Sequence, residues 1–309
     1  MEPIYDIIII GGGPAGAAAG VYAARKRIKT LLIADSFGGQ STVSAEIQNW
    51  IGTVTISGEE LAASLKKHVE AYAGDVLGMR TERVGKIEPK DGNFIVNTES
   101  ASYTARAVLI ATGSHRRKLE AIGADTFEHK GVTYCASCDG PMFEGMDLAV
   151  VGGGNAAFET AAQLLAYAKS VTLIHRSDNF IRTEPMTVEK VLAHPNMRAV
   201  KNVEILEIKG DKFANAIIYR DKETSKTTEL PVGGIFVEIG QLPNTEFVKG
   251  VVDLDESGHI IIDPRTQQTH TKGIWSAGDC TDILYHQNNI AAGDAVRALE
   301  DIYKNLNTR

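Results

Sequence analysis

Tyr5-Asp6-Ile7-Ile8-Ile9-Ile10-Gly11-Gly12-Gly13-Pro14-Ala15-Gly16 decides how this chain folds. The run from Tyr5 to Ile10 is apolar and β-branched, the composition of a parallel strand buried on both faces. G-x-G-x-x-G follows without a gap, and an alanine-rich stretch of strong helix propensity continues to Arg25. A second strand, Thr30 to Ala34, ends in Asp35. In that setting Gly11 allows the tight turn, Gly13 lets backbone approach a pyrophosphate, and Gly16 lets helix and strand pack closely. Pro14 and Ala15 open the helix, whose free N–H groups and partial positive charge suit phosphates. Asp35 stands where a carboxylate can accept hydrogen bonds from ribose hydroxyls. The stretch therefore predicts an α/β dinucleotide-binding unit.

The same unit occurs again. Asp147 to Val151 is an apolar strand that runs into Gly152-Gly153-Gly154-Asn155-Ala156-Ala157, a G-x-G-x-x-A variant. A helix over 156–167 and a strand over 171–174 follow, and an offset of 141 residues lays Gly152 on Gly11. The copies differ where Asp35 meets His175-Arg176, with Arg182 further on. An acid suits free ribose hydroxyls, whereas arginine suits a 2′-phosphate. The first site is thus predicted to hold a cofactor with a free adenosine ribose. The second, built on Gly152, Gly154, Asn155, Ala156, His175, Arg176 and Arg182, is predicted to prefer NADPH.

Between and after the copies the pattern stays α/β. Gly38-Gly39-Gln40 and Gln48-Asn49-Trp50 lie in a long loop that could form a lip around an extended cofactor. Leu61, Leu65, Val69 and Tyr72 give 59–72 a helical period, and Asp91-Gly92 is a hairpin turn. A buried strand at 107–111 ends in Thr112-Gly113. Gln241-Leu242-Pro243-Asn244 reads as a crossing segment. A short strand ending in Ala277-Gly278-Asp279 could place Asp279 on a cofactor's hydroxylated chain. The last helix, 289–306, begins beside Gln287 and Asn288, and its amide end suits the electron-rich pyrimidine edge of a flavin.

Two of the three cysteines stand in Cys135-Ala136-Ser137-Cys138-Asp139-Gly140. A C-x-x-C turn holds two sulfurs close enough to make and break a disulfide. Half a zinc site is the other reading, but no second C-x-x-C or C-x-x-H supplies the missing ligands, so no metal is expected. Cys280 reads as a small buried residue. The net charge of −7 argues against nucleic acid or an acidic membrane as partner. The hydrophobic fraction of 43% holds no apolar run of membrane-spanning length, and nothing resembles a signal peptide. An odd cysteine count without a secreted framework fits a cytoplasmic setting.

Together these motifs, with Ala111-Thr112-Gly113 and Tyr285-His286-Gln287, resemble the low-molecular-weight thioredoxin reductases and the related flavoprotein subunit of alkyl hydroperoxide reductase. The resemblance spans essentially the whole chain. It implies two Rossmann-like domains of the FAD/NAD(P)-binding fold, the second inserted into the first: 1–113 and 245–309 for FAD, 114–244 for NAD(P) and the C-x-x-C. FAD would be held by Gly11, Gly13, Pro14, Ala15, Asp35, Gly39, Gln40, Asn49, Thr112, Gly113, Asp279, Gln287 and Asn288. The resemblance implies that Cys138 faces the flavin, that Cys135 attacks the partner's disulfide, and that Asp139 protonates a departing thiolate. It also implies a homodimer and a rotation of one domain about linkers near Gly113-Ser114 and Gln241–Asn244.

Two departures bear on the electron donor and the partner. NADPH-using relatives carry two adjacent arginines after the histidine and a third four residues later. Here Ser177 follows Arg176, and Arg182 lies one residue further along. NADH, ferredoxin or another flavin therefore stands as an alternative donor, serving a peroxide-reducing system, and a slow-turnover flavin redox sensor as an alternative role. The hydroperoxide reductase subunit has an N-terminal thioredoxin-like module, whereas this sequence starts at the first strand. A separate thioredoxin or glutaredoxin-like protein is the expected acceptor.

Overall fold

The computed structural model describes residues 3–44, 46–180 and 183–307. Arg182 lies outside them. The chain divides into two compact units, 1–115 with 242–309 and 116–241. Each is built on a twisted, mainly parallel sheet.

Unit 1 begins with β1 (Ile4–Ile10), α1 (Pro14–Arg25), β2 (Thr30–Ala34), α2 (Gly58–Glu70), β3 (Leu77–Thr81), β4 (Val84–Lys90), β5 (Asn93–Thr98) and β6 (Ser102–Ile110). β1 lies between β2 and β6, parallel to both, with Ile10 opposite Ile33 and Ile110. This central position is why Ile7, Ile8 and Ile9 are wholly buried. Each such side chain contributes about 1.5–3 kcal/mol of transfer free energy. The Asp91-Gly92 turn joins β4 to β5 with Lys90 opposite Asn93 and both turn residues at positive φ, as a tight two-residue hairpin requires.

The chain then passes through β7 (Ser114–Arg116) into unit 2. Its elements are β8 (Val132–Thr133), α3 (Ala136–Asp139), β9 (Asp147–Gly152), α4 (Asn155–Leu164), β10 (Ser170–Ile174), α5 (Pro185–Leu192), β11 (Met197–Val200), β12 (Val203–Gly210), β13 (Ala214–Asp221), β14 (Thr227–Pro231) and β15 (Gly234–Glu238). The main sheet runs β11-β10-β9-β15-β8, and β12-β13-β14 forms a separate three-stranded sheet. The C-x-x-C, expected as a turn, is a single helical turn with Cys135 as its N-cap. α4 stops at Leu164 rather than at residue 167. Beyond it Tyr167 packs its hydroxyl where a Cβ on Gly140 would stand, and Lys169 N bonds Met146 O, turning the chain toward β10.

β16 (Gln241–Pro243) brings the chain back to unit 1, where β17 (Ile274–Ser276) adds to β6 and α6 (Asn288–Asn307) closes the fold. α1 and α6 cover one face of this sheet, around Ile7, Ile9, Leu32, Leu109 and the fully buried Trp275. Ile8, Ile10, Leu31 and Val108 form the other core, with Cys280 buried among them. Unit 2 likewise has two cores, one under α4 and one facing β12–β14, drawn only from its own residues. Among the described residues no helix is long and apolar enough to cross a membrane.

Candidate functional site

In unit 1 the carboxyl ends of β1, β2 and β6 open onto a cavity of about 740 Å³. Gly11, at φ +121°, leaves β1 so tightly that a Cβ there would lie 2.1 Å from Ala111 O. A Cβ on Gly16 would lie 1.9 Å from Gly11 O, so only glycine lets α1 start this close to the strand. Gly13 is the N-cap of α1 in extended conformation, with no side-chain cap and Pro14 at the first helical position. The first bond of the helix is Ala17 N to Gly13 O, so the amides of Ala15 and Gly16 precede the helical ladder and face the cavity end. No acidic residue stands in that first turn. Together these make an anion cradle that fits a dinucleotide's pyrophosphate.

The other predicted residues of this cavity gather around the cradle. Asp35 is exposed at the end of β2 and lines the cavity with Gly39, Gln40, Thr112, Gly113, Asp279 and Asn288. Gln40 Nε2 donates to Ser114 Oγ at 3.1 Å and to Asp279 Oδ2 at 3.4 Å. Ser41 donates to Asn288 Oδ1 at 2.9 Å. Asn49 Nδ2 donates to Gln287 Oε1 at 3.2 Å, while Asn289 Nδ2 donates to Asn49 O at 2.7 Å. The lip thus ties the loop carrying half-buried Trp50 to the start of α6. Asn49 and Gln287 stand in this lip rather than among the residues that line the cavity. Glu82 and Arg83 also line the cavity, though no motif singles them out.

Where the chain leaves unit 1, Asn244 clamps residues 112–115. Thr112 Oγ1 donates to Asn244 O, and Asn244 Nδ2 donates to Thr112 O, at 2.8 and 2.9 Å. Asn244 N donates to Gly113 O, and His115 Nδ1 lies 2.8 Å from Asn244 Oδ1. On the unit 2 side Arg117 N donates to Gly240 O at 3.1 Å.

Unit 2 holds the second glycine turn and the disulfide. Gly152, at φ +156°, ends β9, and a Cβ on it would meet Glu238 O at 2.3 Å. Gly154 caps α4 in the same extended, side-chain-free way as Gly13 caps α1. Asn155 and Ala156 form the exposed first turn, and Asn155 Oδ1 accepts from Glu184 N at 3.1 Å. His175 packs over Gly153, leaving no room there for a side chain, and its Nε2 lies 3.3 Å from Asn179 O. Burial holds the His175 imidazole below the usual histidine range, so the ring is neutral near pH 7. Arg176 is exposed at the end of β10, and Lys222 Nζ donates to its carbonyl at 2.6 Å.

Cys135 and Cys138 are joined as a disulfide, both half-buried. Cys138 N donates to Cys135 Sγ at 3.2 Å. Asp139 follows, and the Thr133 hydroxyl of β8 donates to its Oδ2, fixing the carboxylate beside the cysteines. Ser137 donates to Gln163 Oε1 at 3.1 Å, anchoring the loop to α4. Thr133 and Gln163 carry no motif of their own, and only the folded backbone brings them here. Cys280 is wholly buried in unit 1, and burial pushes its thiol up, so it stays protonated.

Comparison with known proteins agrees with this arrangement. The family described as "Pyridine nucleotide-disulphide oxidoreductase" matches residues 5–297. The chain is 38% identical over 297 residues to a protein named "NADH dehydrogenase" from Bacillus subtilis (strain 168), covering 96% of this chain and 57% of the relative. It is 38% identical over 299 residues to a subunit of alkyl hydroperoxide reductase in Escherichia coli (strain K12), covering 95% of this chain and 57% of that relative. The chain therefore spans little more than half the length of these curated relatives. A solved thioredoxin reductase from Streptococcus pyogenes MGAS5005 superposes with a TM-score of 0.91 at 34% identity, with both chains fully covered.

Proposed function

The chain belongs to the pyridine nucleotide-disulphide oxidoreductase family, and from that premise we propose that it is a flavoprotein disulfide reductase of the thioredoxin reductase type. Electrons would come from NADPH and leave through the Cys135–Cys138 pair to a thioredoxin or glutaredoxin-like protein. The observation that carries this reading is the disulfide itself, with an acid beside it, in the unit that also holds a second dinucleotide turn.

FAD, when bound, supplies a two-electron carrier between a nicotinamide and a disulfide. Gly11, Gly13, Pro14 and Ala15 would hold its pyrophosphate and Asp35 its ribose. Asp279, Gln40 and Asn288 would line the rest of its length, with Gly39, Thr112 and Gly113 beside them and Asn49 and Gln287 in the lip. Gly152, Gly154, Asn155 and Ala156 would hold the nicotinamide dinucleotide, with His175 supporting the glycine turn and Arg176, with Arg182, serving a 2′-phosphate. No metal takes part in this scheme.

The dithiol chemistry balances on the chain's own atoms. The Cys135 thiolate attacks one sulfur of the partner's disulfide, forming a mixed disulfide and releasing the partner's other sulfur, which takes a proton from Asp139. Cys138 then passes its proton to the Asp139 carboxylate and attacks Cys135 Sγ, re-forming the Cys135–Cys138 bond, and the partner's second sulfur leaves with that proton, so the partner departs as a dithiol. Thr133, by holding one oxygen of Asp139, keeps the carboxyl within reach of the leaving sulfur. Because this pair must meet both a cofactor and a bulky protein, we also propose that one unit turns about the crossings at 113–116 and 241–244. The family resemblance further supports a homodimer acting in the cytoplasm.

A second reading concerns the donor and the system served. Ser177 interrupts the basic patch, and one relative is named for NADH and another for alkyl hydroperoxide reduction. NADH feeding a peroxide-reducing system is therefore the alternative. Anaerobic stopped-flow absorbance separates the readings. Rapid flavin bleaching by NADPH, then reoxidation by thioredoxin disulfide, is the expected result. Faster bleaching by NADH moves the donor assignment. Bleaching by neither nucleotide overturns the reductase reading in favour of another donor or a redox sensor.

A further inference from the structure

Unit 2 carries a carboxyl that the dithiol chemistry does not use. Glu238 ends β15, in register with Gly152 at the end of β9. The strand order reverses between β9 and β15, because β10 and β11 lie to one side of β9 and β15 and β8 to the other. Open α/β sheets take their ligands at the carboxyl ends of such a pair.

The residue in the equivalent place in unit 1 is Ala111. A Cβ on Gly11 would strike Ala111 O as one on Gly152 would strike Glu238 O. Two residues later each strand reaches a left-handed glycine, Gly113 at φ 63° and Gly240 at φ 104°. The two units thus repeat here as well, at a different offset from the glycine turns. Where the first copy puts a methyl group, the second puts a carboxyl.

The Glu238 side chain is 13% exposed. The Thr160 hydroxyl of α4 donates to its Oε1 at 2.9 Å. Arg116 Nη1, on β7, stands 3.9 Å from Oε2, close enough for charge but too far for a hydrogen bond. Glu159 on α4 and Arg116 are the charged groups that face it, while β9 offers only the backbone of Gly152. Burial pushes the carboxyl up, and Glu159 adds to this, whereas Arg116 and the Thr160 hydroxyl oppose it.

We propose that Glu238 and Arg116 form an electrostatic gate on the second nucleotide crevice, in which the proton on Glu238 sets affinity for an anionic dinucleotide. The proposal rests on the nicotinamide reading of unit 2 and deepens it. With Glu238 protonated, Arg116 presents an uncancelled positive charge to the incoming pyrophosphate. When Glu238 gives its proton to solvent, the pair sums to zero and the attraction falls. A charge change of one unit several ångströms from the ligand, at the effective dielectric of a half-buried site, is about a tenfold change in affinity.

Calorimetric titration of the FAD-loaded protein with NAD+ and with NADP+ between pH 5.5 and 8.5 tests the gate without turnover. In the wild type Kd should rise with pH, by about tenfold once Glu238 is fully ionised. Glu238→Gln should keep tight binding and flatten the profile. Arg116→Gln should weaken binding by a similar factor at both ends of the profile, since one positive charge is lost in each state, and move the transition upward, since the carboxyl loses the cation that favours its ionised form. NAD+ is the cleaner probe, because its phosphates do not titrate here. Glu238→Ala, copying Ala111, substitutes if the glutamine variant does not fold. If Glu238→Gln or Glu238→Ala keeps the wild-type profile, or the wild type binds with no pH dependence, the gate is wrong while the nucleotide site stands. If neither nucleotide binds the wild type at any pH, the nicotinamide reading itself fails and takes the gate with it.

Discussion

Gly11 and Gly152 meet one constraint in two places: each must turn a buried strand while a neighbouring carbonyl occupies the space of its missing Cβ. Gly11→Ala combines that collision with a left-handed φ, and should cost about 3 kcal/mol or more. Thermal melts would register the loss, and the ratio of flavin to protein absorbance should fall with it. Glu238 leads to a prediction about pH and stability. Its folded carboxyl titrates above the unfolded value, so its contribution is fully present below about pH 4.5 and is lost as pH rises through the folded value. Glu238→Gln should therefore gain stability over the wild type at pH 8 and not at pH 4, as read from urea midpoints. The glycines were legible because a fixed spacing forces them. Glu238 was not, because it lies in an ordinary strand and gains meaning only when β15 settles beside β9. Thr133 was hidden for the same reason, since its hydroxyl reaches Asp139 only after β8 pairs with β15.

At the level of elements, local chemistry set most of the boundaries. α2 starts where Ser57 and Glu60 form a reciprocal capping box, the side chain of each bonding the backbone of the other. Ser57→Ala should cost about 1 kcal/mol, visible as a lower urea midpoint at unchanged slope. The Asp91-Gly92 hairpin and the paired strand–glycine–helix units likewise follow from residues close in sequence. α4 shows where such reasoning stops. Leu165 and Ala166 favour continuing the helix, and no glycine or proline stops it before Tyr167, yet it ends at Leu164. The hydroxyl of Tyr167 sits directly over Gly140, so packing against the redox loop overrides propensity. The one-turn helix of that loop was equally unreadable, since four residues carry no periodicity.

Across the whole molecule, the two units are unequal in how the chain builds them. Unit 2 is one continuous segment, and both its cores use only residues between 116 and 241. An excised 116–241 fragment should fold cooperatively and keep its disulfide, while showing no flavin absorbance; circular dichroism with thiol titration checks this. The proposed rotation makes a different prediction for the intact chain. A crosslink that freezes one unit against the other should block turnover with flavin still bound, and full activity in the locked protein would sink the rotation. The fold class was legible because the glycine turns fix where each sheet begins. The partner's identity was not, because it depends on a surface that no local motif encodes.

The core of unit 1 also settles what light can report. The chain has two tryptophans, Trp50 in the lip that meets α6 and Trp275 buried against the sheet, its indole donating to Asp301 at 3.0 Å. Both belong to unit 1, and residues 116–241 contain none. Intrinsic emission is therefore a one-sided signal. Trp275 sets a blue-shifted baseline for the folded sheet, and Trp50 registers what happens at the lip. Melting of unit 2 by itself would pass without changing either environment from within. A fluorescence midpoint that matches one from far-ultraviolet dichroism would mean that the two units unfold together, and a gap between them would measure their independence directly.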